Sequence, residues 1–163
     1  AGEKIARVSA NMAMAADMEV RASSTATTGA YSSACQRGLP AILMERGGGG
    51  RFTDSEVQAY KQDVKNIMIR MGLLSGEEVH TVQQKNVTRA EYLEAETDGL
   101  WYPVFSAGDT FAGGAVLGTV RDIWGNLLQE YRADYPGIIL YQTVGLGVKT
   151  GDPLIAYGEY VDR

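Results

Sequence analysis

The feature that most constrains this chain is an internal repeat in its second half. One copy runs Gly99-Leu-Trp-Tyr-Pro-Val-Phe-Ser-Ala-Gly108-Asp109-Thr-Phe. The other runs Gly137-Ile-Ile-Leu-Tyr-Gln-Thr-Val-Gly-Leu-Gly-Val-Lys-Thr-Gly151-Asp152-Pro-Leu. Each copy has a strand-like run after glycine, a Gly-Asp pair and then an apolar pair. Glycine accepts positive φ and aspartate bonds its own backbone, so Gly-Asp marks a tight turn. Two such copies with Val116–Val120 between them predict a small barrel sandwich with pseudo-two-fold symmetry. Upstream, Val79–Val87 and Ala90–Glu96 alternate as two antiparallel strands would.

The first half has a different pattern. Residues 1–80 carry nine Lys/Arg and nine Asp/Glu, whereas residues 81–163 carry six and eleven. The expected division is a partial α/β domain over 1–77 and a glycine-rich β domain over 78–163. Ile5–Val8 and Met12–Val20 read as strands. Ala30–Arg37 reads as a helix ended by Gly38 and Pro40. Ala41-Ile-Leu-Met44 is a short apolar run of the kind a parallel sheet covers on both faces. Thr53-Asp-Ser-Glu56 is a capping box. The helix after it places Val57, Tyr60, Val64, Ile67, Met68 and Met71 on one face and ends at Gly72. Alternating strands and helices predict an α/β layer, so the fold class is α/β followed by all-β.

The net charge of -5 and pI near 4.9 argue against nucleic acid and anionic membrane surfaces as partners. No apolar run approaches the roughly 20 residues of a membrane-spanning helix. Residues 1–30 lack the basic start and continuous apolar stretch of a secretory leader. Cys35 is the one cysteine, which suits a reducing, cytoplasmic setting. It reads as a structural thiol, because only His80 could serve it as a base. His80 is the one histidine and reads as a surface residue beside Glu77 and Glu78. The Ser/Thr run at 23–28 has no nucleophile elbow, and Gly47–Gly50 has no Lys-Ser/Thr of a phosphate loop.

Glu45 is the sharpest candidate. It follows the apolar run, where a half-buried carboxylate beyond a strand end can relay protons. The alternative is that it pairs with Arg46 or Arg51 and that the glycines form a plain loop. Arg46 and Arg21 are candidates for binding a substrate carboxylate, with surface ion pairing as their alternative.

The run Gly29-Ala-Tyr-Ser-Ser-Ala-Cys-Gln-Arg-Gly38-Leu-Pro-Ala-Ile-Leu-Met-Glu45-Arg-Gly-Gly-Gly-Gly resembles the succinylglutamate desuccinylase/aspartoacylase family of zinc deacylases. So do Met71-Gly-Leu-Leu74 and Asp122-Ile-Trp-Gly125 followed by Pro136-Gly137. The resemblance covers about Gly29 to Tyr157. It implies the later part of a zinc-carboxypeptidase-like α/β domain plus a lipoyl-like barrel sandwich. A lipoyl carrier role is not expected, since Val120–Asn126 holds no lysine.

The implied activity is hydrolysis of an N-acyl amino acid of the succinylglutamate or acetylaspartate type. Zinc would polarise the acyl carbonyl and activate a bound water, and Glu45 would be the general base. The family holds zinc through His-x-x-Glu and a later His. This sequence contains no His-x-x-Glu and no second histidine. The ligands are therefore expected upstream of residue 1, with none in this chain. The chain would be the C-terminal portion of a longer deacylase, inactive alone, with exposed strand edges that invite a homo-oligomer. The rival expectation is a non-catalytic binding or assembly protein that kept the fold without the metal.

Overall fold

A computed structural model describes residues 2–162, which fall into two units, residues 2–84 and 85–162. The first is helical with one short strand: α1 (Glu3–Ala15), β1 (Val20–Ala22), α2 (Ala30–Gln36) and α3 (Asp54–Arg70). The second is all-β: β2 (Lys85–Glu94), β3 (Gly99–Pro103), β4 (Thr110–Phe111), β5 (Val116–Arg121), β6 (Leu127–Arg132), β7 (Gly137–Gln142), β8 (Gly147–Val148) and β9 (Pro153–Asp162). No helix among the described residues is long and apolar enough to cross a membrane.

The N-terminal segment corrects the sequence expectation. Ile5–Val8 and most of Met12–Val20 form helix α1 and the turn after it, not strands. Ile5, Val8, Met12 and Ala15 follow the three-to-four-residue spacing of a helix, and alanines at 6, 10, 13 and 15 add strong helix propensity. Ala41–Met44 is not a strand either. Side chains hold its backbone instead of a ladder. The Ser9 hydroxyl accepts from the Ala41 N–H at 3.1 Å, and the Cys35 thiol donates to the Ala41 carbonyl at 3.5 Å.

Helix α3 keeps its expected limits. The Thr53 hydroxyl accepts from the Glu56 N–H at 3.3 Å, and the Glu56 carboxylate accepts from the Thr53 N–H at 2.6 Å. Past its C-terminus, Leu73 donates to the Met68 carbonyl at 2.8 Å across Gly72. Its facing is different from expectation. Asp63 and Asn66 are the buried residues, whereas Val64, Met68 and Met71 are exposed. The helical period holds, but the inward face is polar because its neighbours present backbone groups that need partners.

In the second unit, β2 is a single strand and not two. It pairs antiparallel with β9 from Val87↔Tyr160 to Leu93↔Ile155, with a register shift between Val87 and Arg89. That bulge breaks the alternation, which is why the sequence suggests a gap there. One sheet contains the order β2-β9-β7-β4 and the other β6-β5-β3-β8. Trp101, Leu117, Val120, Ile139, Leu154, Ile155 and Tyr157 fill the core. Trp101 meets Tyr131 edge-on at 5.7 Å, and Phe111 meets Tyr157 edge-on at 5.5 Å.

Both Gly-Asp turns form, with matching bonds. Asp109 accepts from the Ser106 N–H and Asp152 from the Lys149 N–H, each at 2.8 Å. Gly108 and Asp109 exchange hydrogen bonds with Ile139, and Gly151 and Asp152 exchange them with Ala95. Ala95 and Ile139 are thus the equivalent positions, so the strands opened by Gly99 and Gly137 are not counterparts of each other. Those glycines misalign the repeat because each answers a separate close approach. A Cβ on Gly99 would lie 2.7 Å from the Arg121 carbonyl, and one on Gly137 would lie 2.4 Å from the Gly158 carbonyl.

Candidate functional site

The loop between α2 and α3 carries Glu45, and α3 fixes that loop. The Tyr60 hydroxyl accepts from the Arg46 N–H at 2.7 Å and donates to the Met44 carbonyl at 3.3 Å. These belong to the two peptide groups that flank the Glu45 Cα. One hydroxyl therefore restrains the backbone on both sides of the carboxylate. One turn further along, Asp63 is completely buried. It receives Arg46 in a two-pronged ion pair, Nε at 2.7 Å and Nη2 at 2.9 Å. The same Nη2 donates to the Asp17 carbonyl at 2.7 Å, and the Asp17 N–H donates to Asp63 at 2.8 Å.

The network continues through Asp17. Its carboxylate accepts from the Thr81 N–H at 2.7 Å, the Thr81 hydroxyl at 2.6 Å and the Val82 N–H at 3.2 Å. Burial pushes the Asp17 carboxyl up, but Thr81, Val82 and the nearby His80 more than reverse this, so it titrates below its ordinary value. The Asp63 carboxylate raises the Arg46 guanidinium further, despite burial. Buried Asn66 accepts from the Val79 N–H at 3.0 Å and donates to the Val79 carbonyl at 2.7 Å. Arg70 holds Glu78 in an ion pair and His80 adds a contact at 2.9 Å. Arg70 is the main cause of the lowered Glu78 pKa.

Glu45 itself is exposed and lies on an irregular loop, not half-buried at a strand end. Arg46 is brought beside it and is committed to Asp63 and Asp17 through three hydrogen bonds. Arg21 lies half-buried on β1. Cys35 packs against Ser9 and the Ala41 carbonyl, as a structural thiol would. Sequence reasoning missed Asp17, Asp63, Asn66 and Thr81, and took Tyr60 for core. One signal was available: Tyr60, Asp63, Asn66 and Arg70 recur every three to four residues, which makes a second, polar face on α3.

Among the described residues, no group of three or more His, Cys, Asp and Glu side chains is placed to hold a metal ion. These residues do not fit a zinc site of their own.

No family model matches the sequence, and no curated protein sequence does. Solved structures do match. The product-bound ectoine utilization protein EutE (DoeB) of Ruegeria pomeroyi superposes with a TM-score of 0.84 at 21% identity, over 98% of this chain and 51% of that one. A succinylglutamate desuccinylase/aspartoacylase from Rhodobacter sphaeroides gives 0.81 at 22% identity, over 99% and 51%. An aspartoacylase family protein from Mesorhizobium loti gives 0.76 at 20% identity, over 100% and 50%. The chain therefore has the fold of succinylglutamate desuccinylase/aspartoacylase proteins, and it spans about half the length of the structures it matches.

Proposed function

We propose that these residues are the later portion of a zinc-dependent deacylase that hydrolyses the amide bond of an N-acyl amino acid, of the succinylglutamate or acetylaspartate type. The observation that carries this is the double restraint at Glu45, where Tyr60 holds the peptide group on each side of one exposed carboxylate. A general base must stay within hydrogen-bond reach, about 3 Å between heavy atoms, of the group whose proton it takes, and this restraint fixes the backbone that carries the carboxylate. In this role Glu45 takes a proton from the attacking water. It returns the proton to the amine nitrogen as the carbon–nitrogen bond breaks. Zinc, with its ligands outside residues 2–162 in the segment preceding residue 1, would polarise the acyl carbonyl when bound. Arg21 on β1 and Arg46 are the candidates for a substrate carboxylate, and Arg46 already gives its Nε and Nη2 to Asp63.

The test is Glu45→Gln in the deacylase that includes the preceding segment. Turnover of an N-acyl amino acid should fall by at least about 100-fold, with zinc content unchanged. Turnover near that of the parent removes Glu45 from the reaction.

A further inference from the structure

Helix α3 is an inverted amphipath. Its inward side carries Asp63 and Asn66, both completely buried. Its outward side carries Val64, Met68 and Met71, which are 47%, 37% and 39% exposed and spaced i, i+4, i+7. Leu73 and Leu74 extend this apolar stripe past the helix end, at 74% and 41% exposed. Among the described residues, the buried hydrophobic residues of the first unit are Ala15 and Ala16. A helix that gives its polar side to its own unit and its apolar side to water is one whose outer side is built to be covered.

We propose that this stripe is one wall of a core, and that its other wall is a segment of the same polypeptide lying outside these 163 residues. The proposal rests on the deacylase-portion reading above. The match to the ectoine utilization protein uses 98% of this chain but only 51% of that one, so the fold has a second half to supply the covering surface. A second copy of this chain would repeat the half already present. Lys61 and Lys65 are exposed on the row beside the stripe. The occupant is therefore apolar at its centre and acidic at its rim.

The experiment compares the 163-residue chain with the product of its full reading frame by hydrogen exchange and light scattering. Peptides spanning residues 57–74 should exchange fast in the short chain. They should slow by at least about 100-fold in the longer one. Met68→Asp should leave the helical signal of the short chain unchanged and lower the Tm of the longer one by about 5 °C. Three results overturn the proposal: equal exchange in both proteins, a dimeric short chain with the stripe already protected, or a reading frame that adds no segment. Failure of the deacylase reading shows separately. A stripe protected in a protein that hydrolyses no N-acyl amino acid removes the activity and keeps the covered face, and the reverse pair of results does the opposite.

Discussion

The two units are held together by different physics. Residues 85–162 bury Trp101, Leu117, Val120, Ile139 and Leu154 between antiparallel strands. Residues 2–84 bury Asp63 and Asn66 on the helix that carries their main polar contacts. Apolar burial is non-directional and scales with area, so it supplies stability wherever shapes fit. A buried ion pair loses much of its attraction to desolvation, so its net contribution to stability is small. What it supplies is direction. The Asp63–Arg46–Asp17 contacts and the Tyr60 hydroxyl fix one loop in one conformation. The β unit is thus the self-sufficient part, and the helical unit is the part that sets geometry.

Removing Trp101 is the strongest way to break this contrast. It is almost fully buried, and Trp101→Ala should cost about 3–5 kcal/mol, enough to unfold the β unit. The described helices all lie in the first unit, so ellipticity at 222 nm reports on that unit. Both tryptophans lie in the second; with Trp101 replaced and Trp124 exposed, the near-ultraviolet ellipticity of the buried Tyr131 and Tyr157 reports on that unit in this variant. Loss of both signals together would show that the helical unit leans on the β core.

A smaller and opposite effect comes from Arg46→Met. It leaves the buried Asp63 carboxylate without its cation, at a cost of about 3 kcal/mol. The helical signal should melt at lower urea while the fluorescence transition stays in place. A shift of both transitions by the same amount would mean that the units unfold as one.

The same contrast explains what the sequence could tell. The capping box at Thr53, the end of α3 at Gly72 and both Gly-Asp turns are local devices, and each needs only its own few residues. The run from Gly29 to Gly50 pointed to the fold that the matched structures share. Ile5–Val8 and the start of Met12–Val20 are helix and not strand, because a short apolar spacing suits either period until the alanine content is weighed. Ala41–Met44 was misjudged because a strand exists only through its neighbours, and here Ser9, Cys35 and Tyr60 take the backbone groups. Asp63 was invisible because an apolar search treats every carboxylate as solvent-facing. The restraint on Glu45 could not be read either, since it depends on a hydroxyl 15 residues away.

The mildest test uses pH, and the two units should answer most strongly at opposite ends of the scale. Asp17 and Glu78 titrate below their ordinary values of 3.8 and 4.5 when folded. Their contribution is complete above those values and disappears as pH falls through the lower folded ones, because the unfolded chain then binds more protons. Tyr135, Tyr131 and Tyr157 behave the other way, since burial raises each of them. Tyr135 is pushed up to about 12 from 10.0, with the Glu91 charge adding to burial. The unfolded chain loses these protons first, so the stability they preserve is intact below pH 10 and declines as pH rises toward 12. Urea melts at stepped pH should show the 222 nm transition moving to lower urea below about pH 4.5. The fluorescence transition should move to lower urea above about pH 10. On the acid side it should move by a smaller amount, because Asp98 and Asp122, held low by Thr150 and Asn126, make their bonds at the solvent-screened surface. If acid shifts the fluorescence midpoint as far as the helical one, the carboxylate network stabilises the β unit too, and the division of labour between direction and burial fails.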